Sequence, residues 1–294
     1  MSNSGIIKTD FKGLTLISRG KVRDMYDVHD QLLIVATDRI SAFDVIMPNP
    51  IPGKGKILTR MSAFWFNKMT DIIGNHLITT NVDEFPEECT PFKAYMKDRS
   101  MLVRKARPLP VECVVRGYLS GSGWKDYSQG RAISGITLPV GLKESTKLTE
   151  PIFTPSTKAE VGEHDMPITK KEMENIIGRD LTERIIAITM DIYDEATKIA
   201  DKAGIIIADT KMEFGMTDDG LILIDELLTP DSSRFWPKDL FEEGRPQQSY
   251  DKQFLRDYLL SIEWDQKPPA PELPDHIIQK TREKYEEALK RLLQ

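Results

Sequence analysis

Cysteine is scarce. The chain has two, Cys89 and Cys113, with no CxxC spacing, so neither a disulfide framework nor a zinc site is expected, and a reducing, cytoplasmic setting is the simplest. Long apolar runs are missing as well. No segment reaches ~18 consecutive apolar residues, so no membrane span is expected. The opening MSNSGIIKTD has no long apolar core of the signal-peptide kind. Positive charge is not in excess: 40 Lys and Arg face 46 Asp and Glu, for a net charge of −6 and a pI near 5.4. Such a balance argues against non-specific nucleic-acid or membrane binding, while leaving room for local basic clusters that hold small anions. Internal repeats and low-complexity tracts are lacking. The four histidines are scattered: His164, in VGEHD, has no partner at metal-ligand spacing, and His29, His76 and His276 are isolated.

What is present is a globular chain of 294 residues, 40% hydrophobic and 8% aromatic, enough for a sizeable core in about two lobes. LTLIS (14–18), the turn in RGKVRDMYDV (19–28) and QLLIVAT (31–37) read as strands of an antiparallel sheet. Apolar residues at Met61, Phe64, Trp65, Met69 and Ile72 predict a helix over 59–73. MLVRKA (101–106) and VECVV (111–115) read as strands around RPLP. The polar, proline-broken stretch 143–165 reads as a long loop, of the kind that tends to be functional. Helices are expected over 169–204, with Thr169 and Glu172 in capping-box position and Gly204 as a stop. Strands follow at 205–215 and 221–228, then amphipathic helices near 250–262 and 275–293. The expected class is α+β: a β-rich lobe over 1–108, then a mixed lobe over 109–294 that includes the C-terminal helices.

Five stretches carry candidate chemistry. Asp209, Lys211 and Glu213 alternate along one strand and so share a face. If the following turn is centred on Asp219, Glu213 lies opposite Asp225. Opposed carboxylates destabilise a sheet unless a cation lies between them. Oxygen-only ligands suit Mg²⁺ with phosphates and waters, and Lys211 would complement phosphate oxygens. The plainer alternative is a solvated hairpin. SRGKVRDMYD sets Lys21 and Arg23 on a glycine turn where backbone N–H groups can approach phosphate; the alternative is an ordinary hairpin turn. IPGKGKILT carries Lys54 and Lys56 just before a helix, either as anion contacts or as an exposed turn. In VECVVRGYLSGSGW, Arg116 ends a strand and small residues follow. That allows a ligand close to the backbone and a bidentate pair, or simply a flexible loop. In DELLTPDSSRFW (225–236), Asp231, Ser232, Ser233 and Arg234 offer phosphate-binding chemistry, or Asp231 and Arg234 form a surface ion pair. No Cys or Ser nucleophile stands out.

Taken together, LPVECVVRGYLSGS (109–122) and IIADTKMEFG (206–215) resemble the two signatures of the SAICAR synthetase family. GKVRDMY, DRISAFDVIMPNPIPGKGKILT, EPIFTPSTKAEVGEHD and DELLTPDSSRFW resemble further family blocks, from about residue 19 to 236, in the longer form of the family. Ser120 stands where the family more often has Thr, Ala or Gly. The resemblance implies a two-lobed fold similar to ATP-grasp enzymes and protein kinases. It implies a ligase that joins L-aspartate to carboxyaminoimidazole ribotide (CAIR), consuming ATP with Mg²⁺, to give SAICAR, ADP and phosphate. By position, Lys21 and Arg23 would cover the phosphates and Met101 to Glu112 would include the hinge beside adenine. Lys211 would contact phosphate, and Glu213 and Asp225 would hold Mg²⁺. Arg116, Ser122, Ser233 and Arg234 would bind the ribotide. Asp209 falls to the nucleotide site, and Lys158 to a segment closing over substrate. A kinase would share such a nucleotide site, but HRD and DFG motifs are lacking. A non-enzymatic nucleotide-binding module would have no need of both Glu213 and Asp225.

Overall fold

The computed structural model describes residues 5–158 and 165–294; the expectation for His164 lies outside them. Its elements are β1 (Thr15–Arg19), β2 (Arg23–Val28), β3 (Gln31–Ala36), β4 (Ser41–Ala42), β5 (Val45–Ile46), α1 (Lys54–Lys68), β6 (Leu77–Thr79), α2 (Lys93–Met96), β7 (Ser100–Arg104), β8 (Arg107–Pro108), β9 (Val111–Tyr118), α3 (Gly121–Ser128), β10 (Lys147–Phe153), β11 (Ser156–Thr157), α4 (Lys170–Ile177), α5 (Arg179–Lys202), β12 (Ile205–Thr217), β13 (Gly220–Ile224), β14 (Ser233–Pro237), α6 (Gln253–Ser261) and α7 (Asp275–Leu293). An antiparallel five-stranded sheet runs β1-β2-β3-β7-β6. A second sheet is built around β9 and β12, with β10 and β11 on β9, and with β8, β13 and β14 on β12.

Alternation makes the first sheet: along β2, Asp24, Tyr26 and Val28 are buried while the residues between them are half-buried. The largest apolar cluster joins both sheets. It takes Ile34 and Met101 from the first, Val111, Cys113 and Phe214 from the second, Trp65 and Phe66 from α1, Ile185 and Ile192 from α5, and Tyr285 from α7. The helices over 169–204 end as expected. Thr169 and Glu172 form a capping box, and Gly204 takes a positive φ past α5. No helix among the described residues is long and apolar enough to cross a membrane.

Three expectations need correction. First, 143–165 is not all loop: β10 and β11 both pair with β9. A partner strand that satisfies the backbone outweighs weak local propensity. Second, the hairpin turn after β12 has two residues, with Thr217 opposite Gly220, so Glu213 faces Ile224 rather than Asp225. Third, α1 begins at Lys54, so the lysines of the GKGK stretch lie in its first turn. A distant residue sets that start: Asp38 accepts a hydrogen bond from the Gly55 N–H at 2.9 Å and another from Arg99 at 3.1 Å.

Gly55 has a steric reason for being glycine. A Cβ there would lie 2.1 Å from the carbonyl oxygen of Ala36, a backbone atom that cannot move aside. Gly55→Ala is expected to lower the unfolding free energy by about 2 kcal/mol. Urea denaturation of the two chains measures this as a drop in midpoint at unchanged slope. An unchanged midpoint would mean that helix and strand separate freely.

Candidate active site

Strand β12 positions the charged side chains. One edge pairs with β14 and then β13; the other pairs with β9 and then β8. Asp209 is directly opposite Arg234 on one side and Arg116 on the other, giving a row across three strands. Both guanidinium groups bind the same carboxylate oxygen, Arg116 at 2.9 Å and Arg234 closer still. Arg116 also donates to Thr154 at 3.0 Å and to the Ser122 hydroxyl at 3.1 Å. Ser233 is bonded to Thr210, hydroxyl to hydroxyl, at 2.8 Å. Asp209 is the carboxylate bound to both guanidinium groups, with Asp251 acting on Arg234 and Asp126 on Arg116 from further off; two guanidinium groups side by side suit a phosphate or carboxylate. The small residues at 121–123, expected to admit a ligand, also leave room for the two arginines. They open α3, and a Cβ on Gly121 would lie 2.1 Å from the Arg234 guanidinium.

A second cluster begins two residues further along β12. Lys211 binds Glu112 at 2.5 Å and Glu213 at 3.3 Å. Lys158 pairs with Glu213, and Ser156 donates to Glu112 at 3.3 Å. Arg23 reaches across from the first sheet to Asp225 at 2.7 Å and lies 3.6 Å from Glu226. Although Glu213 and Asp225 are not opposed in register, they share cations: the ammonium groups of Lys211 and Lys158 act on both. The reason is backbone geometry. Asp225 takes a left-handed φ of 70°, which ends β13 and turns the chain out of the ladder.

The electrostatics follow from burial. Burial by itself raises the Asp225 carboxyl, but Arg23, Lys211 and Lys158 outweigh it and hold the group below the usual range. Burial wins at Glu112 and Glu226, which are raised. Lys211 is pushed down by burial, yet Glu213 and Glu112 together drive it up. Three cations (Arg23, Lys158, Lys211) thus face four carboxylates (Glu112, Glu213, Asp225, Glu226). A hard divalent cation fits this donor set, because Glu213 and Asp225 offer oxygen alone and phosphate and water would complete its shell. Among the described residues no group of three or more His, Cys, Asp or Glu is arranged to hold a metal by itself. The Arg23 Nη1 is buried without a hydrogen-bond partner among the described residues, a donor left for an anion.

Lys21 is not drawn into either cluster by its recorded contact. It is half-exposed and pairs with Asp44 of the β4–β5 turn. Asp231 does not pair with Arg234, as the surface alternative held; it binds Lys54 at 2.6 Å. The sequence reading missed Glu226, Thr154 and Tyr285. Glu226 was visible as the neighbour of Asp225, whereas Thr154 and Tyr285 carry no local signal, because their partners are 38 and 54 residues away. A cavity of about 610 Å³ beside α6 and α7, lined by Phe254, Lys280 and Lys284 among others, includes none of these clustered residues.

The SAICAR synthetase family profile matches residues 16–271. Phosphoribosylaminoimidazole-succinocarboxamide synthase of Desulfosudis oleivorans is 61% identical over 284 residues, covering 97% of this chain and 97% of that protein. The enzyme of the same name from Geobacter sulfurreducens is 61% identical over 287 residues, covering 98% and 97%. The solved structure of Saccharomyces cerevisiae SAICAR synthase complexed with SAICAR has a TM-score of 0.89 at 44% identity, over 98% of this chain and 97% of that one. A SAICAR synthetase in complex with ADP has a TM-score of 0.67 at 25% identity, over 94% and 96%.

His76 lies behind the second cluster, buried, with its ring edge-on to Phe66 at a centroid distance of 5.2 Å. Burial depresses its pKa to about 4, against the opposing pull of Asp225. The unfolded chain would take up this proton near pH 6.5, while the folded chain stays neutral. The stability this contributes is therefore complete above pH 6.5 and is lost as pH falls towards 4. Between pH 7 and 5 the wild-type chain should lose about 2 kcal/mol more than His76→Gln, measured by urea unfolding at both pH values. Parallel losses in the two chains would contradict the buried neutral ring.

Proposed function

The chain belongs to the SAICAR synthetase family, and from that premise we propose how its two charged clusters divide the reaction. The enzyme is an ATP-dependent ligase of purine biosynthesis, joining L-aspartate to CAIR to give SAICAR, ADP and phosphate. A carboxylate is a poor electrophile, since an amine cannot displace oxide from it. In the proposed route a CAIR carboxylate oxygen takes the γ-phosphoryl group and ADP departs. The aspartate amine then attacks the acyl carbon, and phosphate leaves with the bridging oxygen.

The observation that carries this reading is the spacing of Asp209 and Lys211, two residues apart on one strand with alternate side chains on one face. That is roughly 7 Å along the strand, which sets the cluster suited to the ribotide beside the cluster suited to the nucleotide. Arg116, Ser122, Ser233 and Arg234 hold the ribotide. Arg116, as a catalytic group, keeps the acceptor carboxylate in line. Asp209, given to the nucleotide site by resemblance, is reassigned here to orienting the two guanidinium groups, because both bind it. Lys211 and Lys158 neutralise charge on the moving phosphoryl group. Arg23 offers its unpartnered Nη1 to phosphate, with Lys21 at the rim and Glu112 on the side of the hinge. Bound Mg²⁺, held by Glu213 and Asp225, would supply charge neutralisation across the phosphates. The rate gain then comes from positioning and electrostatics, without a covalent enzyme intermediate. A cytoplasmic location belongs to the same proposal.

The metal assignment has a direct check. Glu213→Gln and Asp225→Asn are near-isosteric and each removes an anionic ligand. Each should raise the Mg²⁺ concentration for half-maximal rate by roughly tenfold or more. Wild-type Mg²⁺ dependence in both variants would take these residues out of the metal site.

The chemical route leaves an isotopic trace. CAIR labelled with ¹⁸O in its carboxylate is converted with ATP and L-aspartate, and the inorganic phosphate is analysed by mass spectrometry. Each phosphate should carry one labelled oxygen. Unlabelled phosphate, with exchange into water excluded by controls, would rule out the acyl phosphate.

A further inference from the structure

Outside both clusters, four segments of the chain meet at a single buried carboxylate. The ammonium of Lys54, in the first turn of α1, binds Asp231 Oδ2 at 2.6 Å. The Tyr285 hydroxyl, from the middle of α7, donates to Asp231 Oδ1 at 2.7 Å. Lys252, just before α6, places its ammonium 3.5 Å from Oδ2. The Asp231 N–H is itself bonded to the Thr229 hydroxyl at 3.1 Å. Lys54 and Tyr285 are fully buried, and the Lys54 ammonium lies 5.7 Å from the Tyr285 ring centroid, within cation–π range.

Stability is a weak explanation for this arrangement. Each buried ion carries a desolvation cost, and apolar side chains of similar size often pack as well or better. The surrounding segment suggests another role. Asp225 and Leu228 both adopt left-handed conformations, with φ of 70° and 50°, and neither is glycine. Such strain persists where the surroundings over-determine the backbone. The segment begins at the candidate metal ligand Asp225 and ends at Arg234, which pairs with Asp209. Just past Asp231, the Ser232 carbonyl accepts the Lys211 N–H at 2.9 Å. Asp231 therefore pins the middle of a strained bridge whose two ends lie in the two clusters.

We propose that Lys54, Asp231 and Tyr285 form a positioning latch that fixes the nucleotide cluster relative to the ribotide cluster without touching either substrate. Loosening it shifts the phosphoryl donor against its acceptor. A misplacement of ~1 Å costs on the order of a hundredfold in rate, whereas binding to each cluster separately survives. The latch acts on kcat.

This inference rests on the ligase reading, and its test separates the two. Wild-type, Tyr285→Phe and Lys54→Met chains are assayed for SAICAR formation, for ADP binding by calorimetry and for thermal unfolding. Tyr285→Phe removes one hydroxyl and no carbon. Lys54→Met removes the ammonium, keeps an unbranched side chain one atom shorter, and leaves Lys252 to balance Asp231. Both variants should lose roughly tenfold to a hundredfold in kcat, with the KM for CAIR and the Kd for ADP near wild-type. Wild-type kcat in Tyr285→Phe, measured well below its Tm, would make the cluster structural and overturn the proposal, whatever the fate of Lys54→Met. Lost ADP affinity at unchanged kcat would overturn it too, by placing these residues in the nucleotide site. A wild-type chain that forms no SAICAR would overturn the ligase reading and the latch with it.

Discussion

Two guanidinium groups share one carboxylate across three strands, and the rest of the site is arranged around that row. Asp209 is almost wholly buried, with its carboxylate between Arg116 and Arg234. Held apart by strand spacing, the arginines cannot collapse onto a better counter-ion of their own. Their remaining N–H groups stay available for an anion. The arrangement needs a stiff strand, and β12 is stiff because it is paired along both edges.

The same strand brings the second cluster within reach of the first. Three cations of the chain serve the four carboxylates there, Arg23 being shared by Asp225 and Glu226, which offsets part of the cost of burying them. In the proposed nucleotide site, phosphate oxygens would take the place of the carboxylate oxygens that Lys158 and Lys211 bind. Local arrangement, not net charge, makes this possible: the chain carries −6 overall, yet the row around Asp209 is positive. Arg23 adds a constraint between the two sheets. It is anchored in β2 and ends on Asp225 in the 225–232 segment, so the first sheet cannot shift without disturbing the carboxylates.

Much of this was legible in the residues. Alternation along DTKMEFG gave β12 and the shared face of Lys211 and Glu213, because side-chain period in a strand is a local property. The capping box at Thr169 and the glycine after α5 were readable for the same reason. Arg116, Asp209, Lys211, Glu213, Asp225 and Arg234, singled out in the motif blocks, all fall in one of the two charged clusters. Register was not legible. The expected opposition of Glu213 and Asp225 failed by a single residue, since turn length follows the backbone conformation of Asp218 and Asp219, which composition alone leaves open. The strands β10 and β11 were hidden in a polar stretch, because their partner lies in β9.

The amino-acid sequence by itself determined the helices with local caps, the central strand and its charged face, since these depend on residue type and on neighbours a few positions away; the class of chemistry followed from the resemblance of its motif blocks to a family. The tertiary structure alone decided which charges meet. Lys54 and Asp231 are 177 residues apart, and Arg23 and Asp225 are 202 apart. Pairings at that range are set by how sheets and helices close on a common core, and no local spacing encodes them. For that reason Lys54, which reads either as an anion contact or as part of an exposed turn, is a buried partner of Asp231. For that reason too, Asp225 joins Glu213 through a left-handed turn and not through the ladder.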